Sequence, residues 1–292
     1  MRSLIFYVTG LNLFRFHYNR RYPSQSGMSL PQELIDEIVG YIPLCDKRSL
    51  RNCSLVAKLW TNPSRRRLFQ AVEIRDTTFQ RWLGTILPAN TEFLRPVRSL
   101  SYITTAAPWS DRQAKYRVDV LQDCLPSFRR LQHLSLSSMH IPSSDISQQI
   151  KIFSAFRHSL SHLSLQHCTV TIRALVALIN FFPGLDRLDL CSITHEADGK
   201  PASPLCRPLI RKFHISSFDN PDLEILDQLS ELGLVFEELI VGGWSSKIGL
   251  YTLSRIVNSL GANVKCFRLL RWETRRKCVG CMYITRTHCE TC

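Results

Sequence analysis

The sequence predicts an α/β protein: a small all-helical module followed by a solenoid of alternating short strands and helices. Three observations carry that expectation. Apolar residues between positions 29 and 70 recur at helical spacing. Residues 71–272 then repeat one strand pattern, apolar-x-x-apolar-x-apolar, seven times. Finally, 292 residues suffice for one large domain or two ordinary ones, and a chain of this size buries roughly 75% of its unfolded surface.

Residues 1–27 open the chain. Leu4 to Phe16 is mostly apolar, Arg15, Arg20 and Arg21 lie in or after that run, and no acidic residue precedes Glu33. A secretory signal places its charge first and ends in small residues, which this segment does not. The order fits a mitochondrial presequence somewhat better, and a disordered leader or an extension upstream of the true start best. The folded part is expected to start at Met28, directly before Ser29-Leu30-Pro31.

Residues 28–70 form the helical module. Pro31 suits a first helical turn, where its missing N–H is not needed. Leu34, Ile35, Ile38 and Ile42 follow at helical spacing until Pro43. A second helical stretch runs from about Asp46 to Lys58 with Leu50, Cys53 and Leu55 to Ala57 apolar, and Trp60 and Leu68 continue the pattern. The run Leu30-Pro31-Gln32-Glu33-Leu34, then Ile38, Ile42, Leu50 and Leu55-Val56-Ala57-Lys58-Leu59-Trp60, resembles an F-box over about 40 residues. That resemblance implies binding to a Skp-type adaptor within a cullin-type ubiquitin ligase. By position, Leu30, Pro31, Leu34, Ile38, Ile42, Leu50, Val56 and Trp60 would carry the contact or the module's own core; the sequence does not sort one from the other.

Residues 71–272 hold the repeats. The strand form occurs at Leu131/Leu134/Leu136, Leu160/Leu163/Leu165, Leu185/Leu188/Leu190, Ile210/Phe213/Ile215, Phe236/Leu239/Val241 and Val264/Phe267/Leu269, with a weaker copy at Val97/Leu100/Tyr102. From Leu134, the steps to Leu163, Leu188, Phe213, Leu239 and Phe267 are 29, 25, 25, 26 and 28 residues. Between the strands, helices are expected over Phe79–Ile86, from Thr171 to Phe182, over Leu223–Leu229 with Gly233 near its end, and over Leu250–Leu260 closed by Gly261. One strand and one helix cannot bury both apolar faces alone, so the units must stack. Strand form and period resemble the leucine-rich repeat, and the irregularity resembles fungal F-box proteins. That family expects Asn or Cys three residues past the last strand leucine; Cys168 matches, whereas Met139 and Ile193 do not.

Strand alternation gives the solenoid a polar face. With Leu134 and Leu136 inward, His133, Ser135 and Ser137 face the concave side. The same offsets give His162, Ser164 and Gln166, then Arg187, Asp189 and Cys191, then Lys212, His214 and Ser216. The first of each set forms a basic column, His133, His162, Arg187 and Lys212, expected to hold a target, with Glu238 next in line.

Enzymatic chemistry finds no support in the motifs. There is no His-Glu-x-x-His, Gly-x-Ser-x-Gly, Walker loop or Gly-x-Gly-x-x-Gly. Gly242-Gly243 reads as a turn, and Asp186 with Asp189 does not define an acid/base pair. No cofactor is implied. Cys278, Cys281, Cys289 and Cys292 could supply four thiolates beside His288, but only seven residues separate the pairs, so no metal is expected in this basic tail, residues 273–292. The remaining seven of eleven cysteines are scattered, which points to a reducing compartment, cytoplasm or nucleus. The net charge of +13 is dispersed, with no basic stripe alternating with aromatics, so nucleic acid is not an expected partner. No apolar run reaches the ~18–20 residues of a membrane helix, so no membrane is expected either. The expected function is target recognition for a ubiquitin ligase, without catalysis by this chain; the alternative is a repeat scaffold not engaged with a ligase.

Overall fold

The computed structural model describes residues 30–81, 94–104, 121–122, 125–141, 150–196, 209–216, 225–226, 228–229, 231–244 and 264–271. The chain divides into two compact units, Met1–Glu73 and Ile74–Cys292. The leader, the stretch from Leu250 to Gly261 and the cysteine tail lie outside the described residues.

The first unit holds three helices, α1 (Gln32–Tyr41), α2 (Lys47–Val56) and α3 (Lys58–Leu68). Pro31 takes the N-cap position, and its carbonyl accepts the first helical bond from Ile35 N–H at 3.2 Å. Ile42 is extended because the ring of Pro43 disfavours helical backbone at the preceding residue, and α1 ends there. Asp46 caps α2 by accepting from Ser49 N–H at 3.0 Å. The sequence pattern reads through residues 55–60, but the structure breaks it at Ala57, whose extended backbone (φ −157°, ψ 162°) separates α2 from α3. A break there lets α3 fold back, and Thr61 Oγ1 ties the corner by donating to Ser54 O at 3.1 Å. The core is Ile35, Val39 and Leu50, with Ile42, Trp60 and Leu68 packed against it. Lys47 Nζ donates to Leu68 O at 3.0 Å and Ala71 O at 2.9 Å, placing a cation at the C-terminal end of α3, where the helix dipole favours it.

The second unit is mixed α/β around a parallel sheet. The strands are β1 (Ala71–Arg75), whose first three residues belong to the first unit, β2 (Ser99–Ile103), β3 (His133–Ser137), β4 (His140–Ile141), β5 (His162–Gln166), β6 (Thr169–Thr171), β7 (Arg187–Cys191), β8 (Thr194–Glu196), β9 (Leu209–Ser216), β10 (Val235–Trp244) and β11 (Cys266–Arg271). The large sheet runs β1-β2-β3-β5-β7-β9-β10-β11, and a second sheet runs β4-β6-β8. Register places Leu100, Leu134, Leu163, Leu188, Phe213, Leu239 and Phe267 in one line across the sheet. A second line runs Tyr102, Leu136, Leu165, Leu190, Ile215 and Val241. Except for Phe267, these side chains are buried, each contributing roughly 1.5–3 kcal/mol relative to exposure. Phe267, on the last strand of the sheet, is 36% exposed.

The link between sheets repeats three times. Ser138, His167 and Ser192 each follow a long strand and each adopt left-handed backbone (φ 58°, 52° and 52°). That kink turns the chain into β4, β6 and β8 and carries the next residues, Met139, Cys168 and Ile193, into the core. Met and Ile therefore fill the same buried station as Cys168, whose thiol donates to the Leu136 and Gln166 carbonyls at 3.4 Å each. Burial pushes that thiol up to about 11.

Two α-helices of this unit are α4 (Asp76–Arg81) and α5 (Ile172–Phe181). Thr171 Oγ1 caps α5 by accepting from Ala174 N–H at 3.2 Å. Phe182, which ends α5 before Pro183, stacks on Phe156 (6.2 Å, 10°) and meets Phe153 edge-on. Among the described residues of other connections, 3-10 turns stand at Leu125–Ser127 and Ser154–Phe156, the latter just after helical residues 150–152. Gly233 (φ 84°) closes the helical stretch containing Ile225, Leu226 and Leu229, and Leu234 N–H returns to Leu229 O at 3.0 Å, a Schellman closure. Gly242-Gly243 is not a turn. It lies inside β10, where the pairing with β11 shifts register between Gly242 and Trp244.

Candidate interaction surfaces

Two surfaces stand out, one on each unit. The residues expected to bind an adaptor separate by burial. Leu30, Leu34 and Ile38 are 46%, 45% and 43% exposed, and Val56 and Pro31 are exposed as well. Leu50 is fully buried, and Ile42 and Trp60 are half-buried against the core. Leu50 therefore belongs to the module's own core, while Ile42 and Trp60 pack against that core and keep part of their surface exposed. The exposed set also includes Tyr41, Leu55 and Leu59. Leu34, Ile38 and Tyr41 follow one face of α1 at spacings of four and three, with Leu30 just before the helix, while Ile35 and Val39 occupy a neighbouring, buried face. A ten-residue helix that is apolar on two faces signals, in the sequence itself, that one of them is left for another surface.

The second surface is the polar face of the large sheet. Register aligns His133, His162, Arg187 and Lys212, then Glu238 and Cys266, on adjacent strands. The expected column is thus formed, but it is not a free line of positive charge. Asp189, on the neighbouring row, accepts from His162 Nε2 at 2.7 Å and from Arg187 Nε at 2.9 Å, with His214 Nδ1 at 3.9 Å. Glu238 pairs with Lys212 at 3.5 Å and with Arg268 at 3.2 Å. Strand alternation puts Asp189 and His214 on this face without revealing that the carboxylate lies within reach of three strands. Only the side-chain geometry shows that.

Burial alone would raise the Asp189 carboxyl, but the hydrogen bonds from His162 and Arg187 and their charges outweigh it and hold it below the usual carboxylate range. Burial pulls the His214 imidazole down, Asp189 pulls it up, and Arg187 and His162 add to the lowering. His133 is lowered first by burial and then by the charges of His162 and Arg187. Its Nδ1 stands 3.1 Å from Nδ1 of His162. Two nitrogens at that distance share a single proton, since one must donate and the other accept.

Among the described residues no group of three or more His, Cys, Asp or Glu is arranged to hold a metal ion, and no helix is long and apolar enough to cross a membrane. The four tail cysteines lie outside the described residues. No family model matches the chain, and no curated protein matches it. Among solved structures, the chain is similar to the crystal structure of the leucine-rich repeat-containing protein LegL7 from Legionella pneumophila, at 12% identity and a TM-score of 0.37, over 82% of this chain and 70% of that one.

Proposed function

We propose that this chain is a substrate adaptor of a cullin-type ubiquitin ligase: the helical unit, read as an F-box, docks onto a Skp-type adaptor, and the sheet unit, read as irregular leucine-rich repeats, holds a target protein. One observation carries the proposal. Of nine large apolar side chains exposed among the described residues, seven fall between Leu30 and Leu59. Apolar surface so concentrated on one small unit is the mark of an interface. The F-box resemblance of those residues supplies the partner's identity. In this reading the chain makes and breaks no bonds; it brings a target near the ubiquitin donor, in cytoplasm or nucleus.

The test is co-purification of the full chain with a Skp-type adaptor. Leu34→Ser combined with Ile38→Ser removes two exposed anchors, and hot-spot residues are worth about 2 kcal/mol or more each. Loss of capture with the helical signal retained is the expected outcome. Leu30→Ala with Pro31→Ala should weaken capture as well. Undiminished capture by folded variants would overturn the proposal.

A further inference from the structure

The polar sheet face carries its charges at two depths. The carboxylates lie low: Asp189 and Glu238 side chains are 13% and 15% exposed. Their cationic partners stand higher: Arg187 is 35%, Lys212 52% and Arg268 53% exposed. Negative charge is therefore sunk at the base while the outer layer is positive. Arg187 reaches Asp189 through Nε alone. Its two terminal nitrogens have no hydrogen-bond partner among the described residues and form the forked half of a guanidinium that carboxylates bind. Three imidazoles, His133, His162 and His214, stand in the same cluster.

We propose that this face docks an acidic segment of a partner protein, its carboxylates meeting Arg187 and Lys212, and that docking draws protons onto the histidine cluster. The inference deepens the target-holding half of the proposal above and is independent of the adaptor half. The physical link is the crowding of His133 against His162 and Arg187 on a half-buried face. A proton gained by His133 leaves the Nδ1–Nδ1 hydrogen bond in place but puts positive charge beside His162 and Arg187, which burial and those neighbours disfavour while the face is empty. Carboxylates arriving from outside offset the added positive charge, so the protonated form is favoured in the complex. Nearest the pair stand Arg187 and Asp189 on β7 and His214 on β9; Lys212 on β9, Glu238 on β10 and Arg268 on β11 continue the same face, and β2 aligns the uncharged Ser99, Ser101 and Ile103 with β3. The permanent charges among them come to three positive and two negative, so proton uptake is what makes the face strongly attractive to an acidic chain.

The experiment is calorimetric titration of the full chain with a soluble oligoglutamate peptide, near pH 6.5, in buffers of differing ionisation heat. An oligoglutamine peptide of equal length is the control, and a phosphoserine peptide and a short RNA are comparators. The expected result is binding of oligoglutamate and not oligoglutamine, net proton uptake, and tightening as pH falls from about 7.5 to 6. Lys212→Gln combined with His133→Gln, both at exposed positions, should weaken binding roughly tenfold for each charge-assisted hydrogen bond removed and reduce the uptake. Absence of oligoglutamate binding, binding without proton uptake, unchanged binding by the folded variant, or tighter binding of the RNA or phosphopeptide would each overturn the inference. Because no adaptor enters this titration, its failure is distinguishable from failure of adaptor capture.

Discussion

At the scale of single residues, the left-handed turns set the sharpest demands. His167 has φ 52° and carries no glycine's freedom, and left-handed backbone costs an ordinary residue roughly 1–2 kcal/mol. A β-branched side chain fits there worse still. His167→Val is therefore expected to destabilise by about 1–2 kcal/mol, while His167→Asn is close to neutral; urea denaturation of both variants checks the contrast. Core leucines answer to a different rule. Leu188 is fully buried at the centre of the sheet, and Leu188→Ala is expected to cost about 2–5 kcal/mol by the same measurement. The leucine is legible in the sequence because burial repeats with the strand form. The turn is not, because Ser, His and Ser share no side-chain chemistry: what recurs there is a backbone angle. The role of Asp189 stays hidden for a related reason, since alternation gives a residue's face but not the reach of its neighbours' side chains.

At the scale of elements, the helices show how far periodicity can be followed. The recurrence of Leu34, Ile35, Ile38 and Ile42 predicts α1, and Pro43 its end, because both signals are local. The boundary at Ala57 is not local. It depends on α3 packing back against the others, and no breaker residue announces it. The second sheet is likewise absent from the sequence expectation, although apolar-polar-apolar alternation at Met139-His140-Ile141 and Cys168-Thr169-Val170 could suggest it. Lys47 is the clearest tie between elements of the helical unit. Burial pulls its pKa below the ordinary lysine value, and its ammonium satisfies two carbonyls at and beyond the end of α3. Lys47→Met keeps the stem but strands those carbonyls, and is expected to lower stability by about 1–3 kcal/mol, read as a lower thermal midpoint.

At the scale of the whole molecule, the histidine cluster predicts a pH dependence. His133 and His214 have folded pKa values below the unfolded value, so the unfolded chain binds more protons as pH falls through the ordinary histidine range near ~6.5. Stability should therefore decline on acidification from about pH 7 downward, before any carboxylate titrates. Asp189, whose folded pKa is depressed, adds a second loss only when pH drops through the carboxylate range near ~3.9 and below. Denaturation midpoints across about pH 4–8 check this, and His133→Gln with His214→Gln should flatten the upper part of the curve. The strand order has a mechanical consequence. Among the described residues, each long strand from β2 onward is hydrogen-bonded only to the long strands next to it in chain order. Tension applied along the stack would not have to shear many bonds at once. It would peel the outermost strand first, then the next, so the sheet unit should lengthen in small successive steps at low force, like a zip opened tooth by tooth.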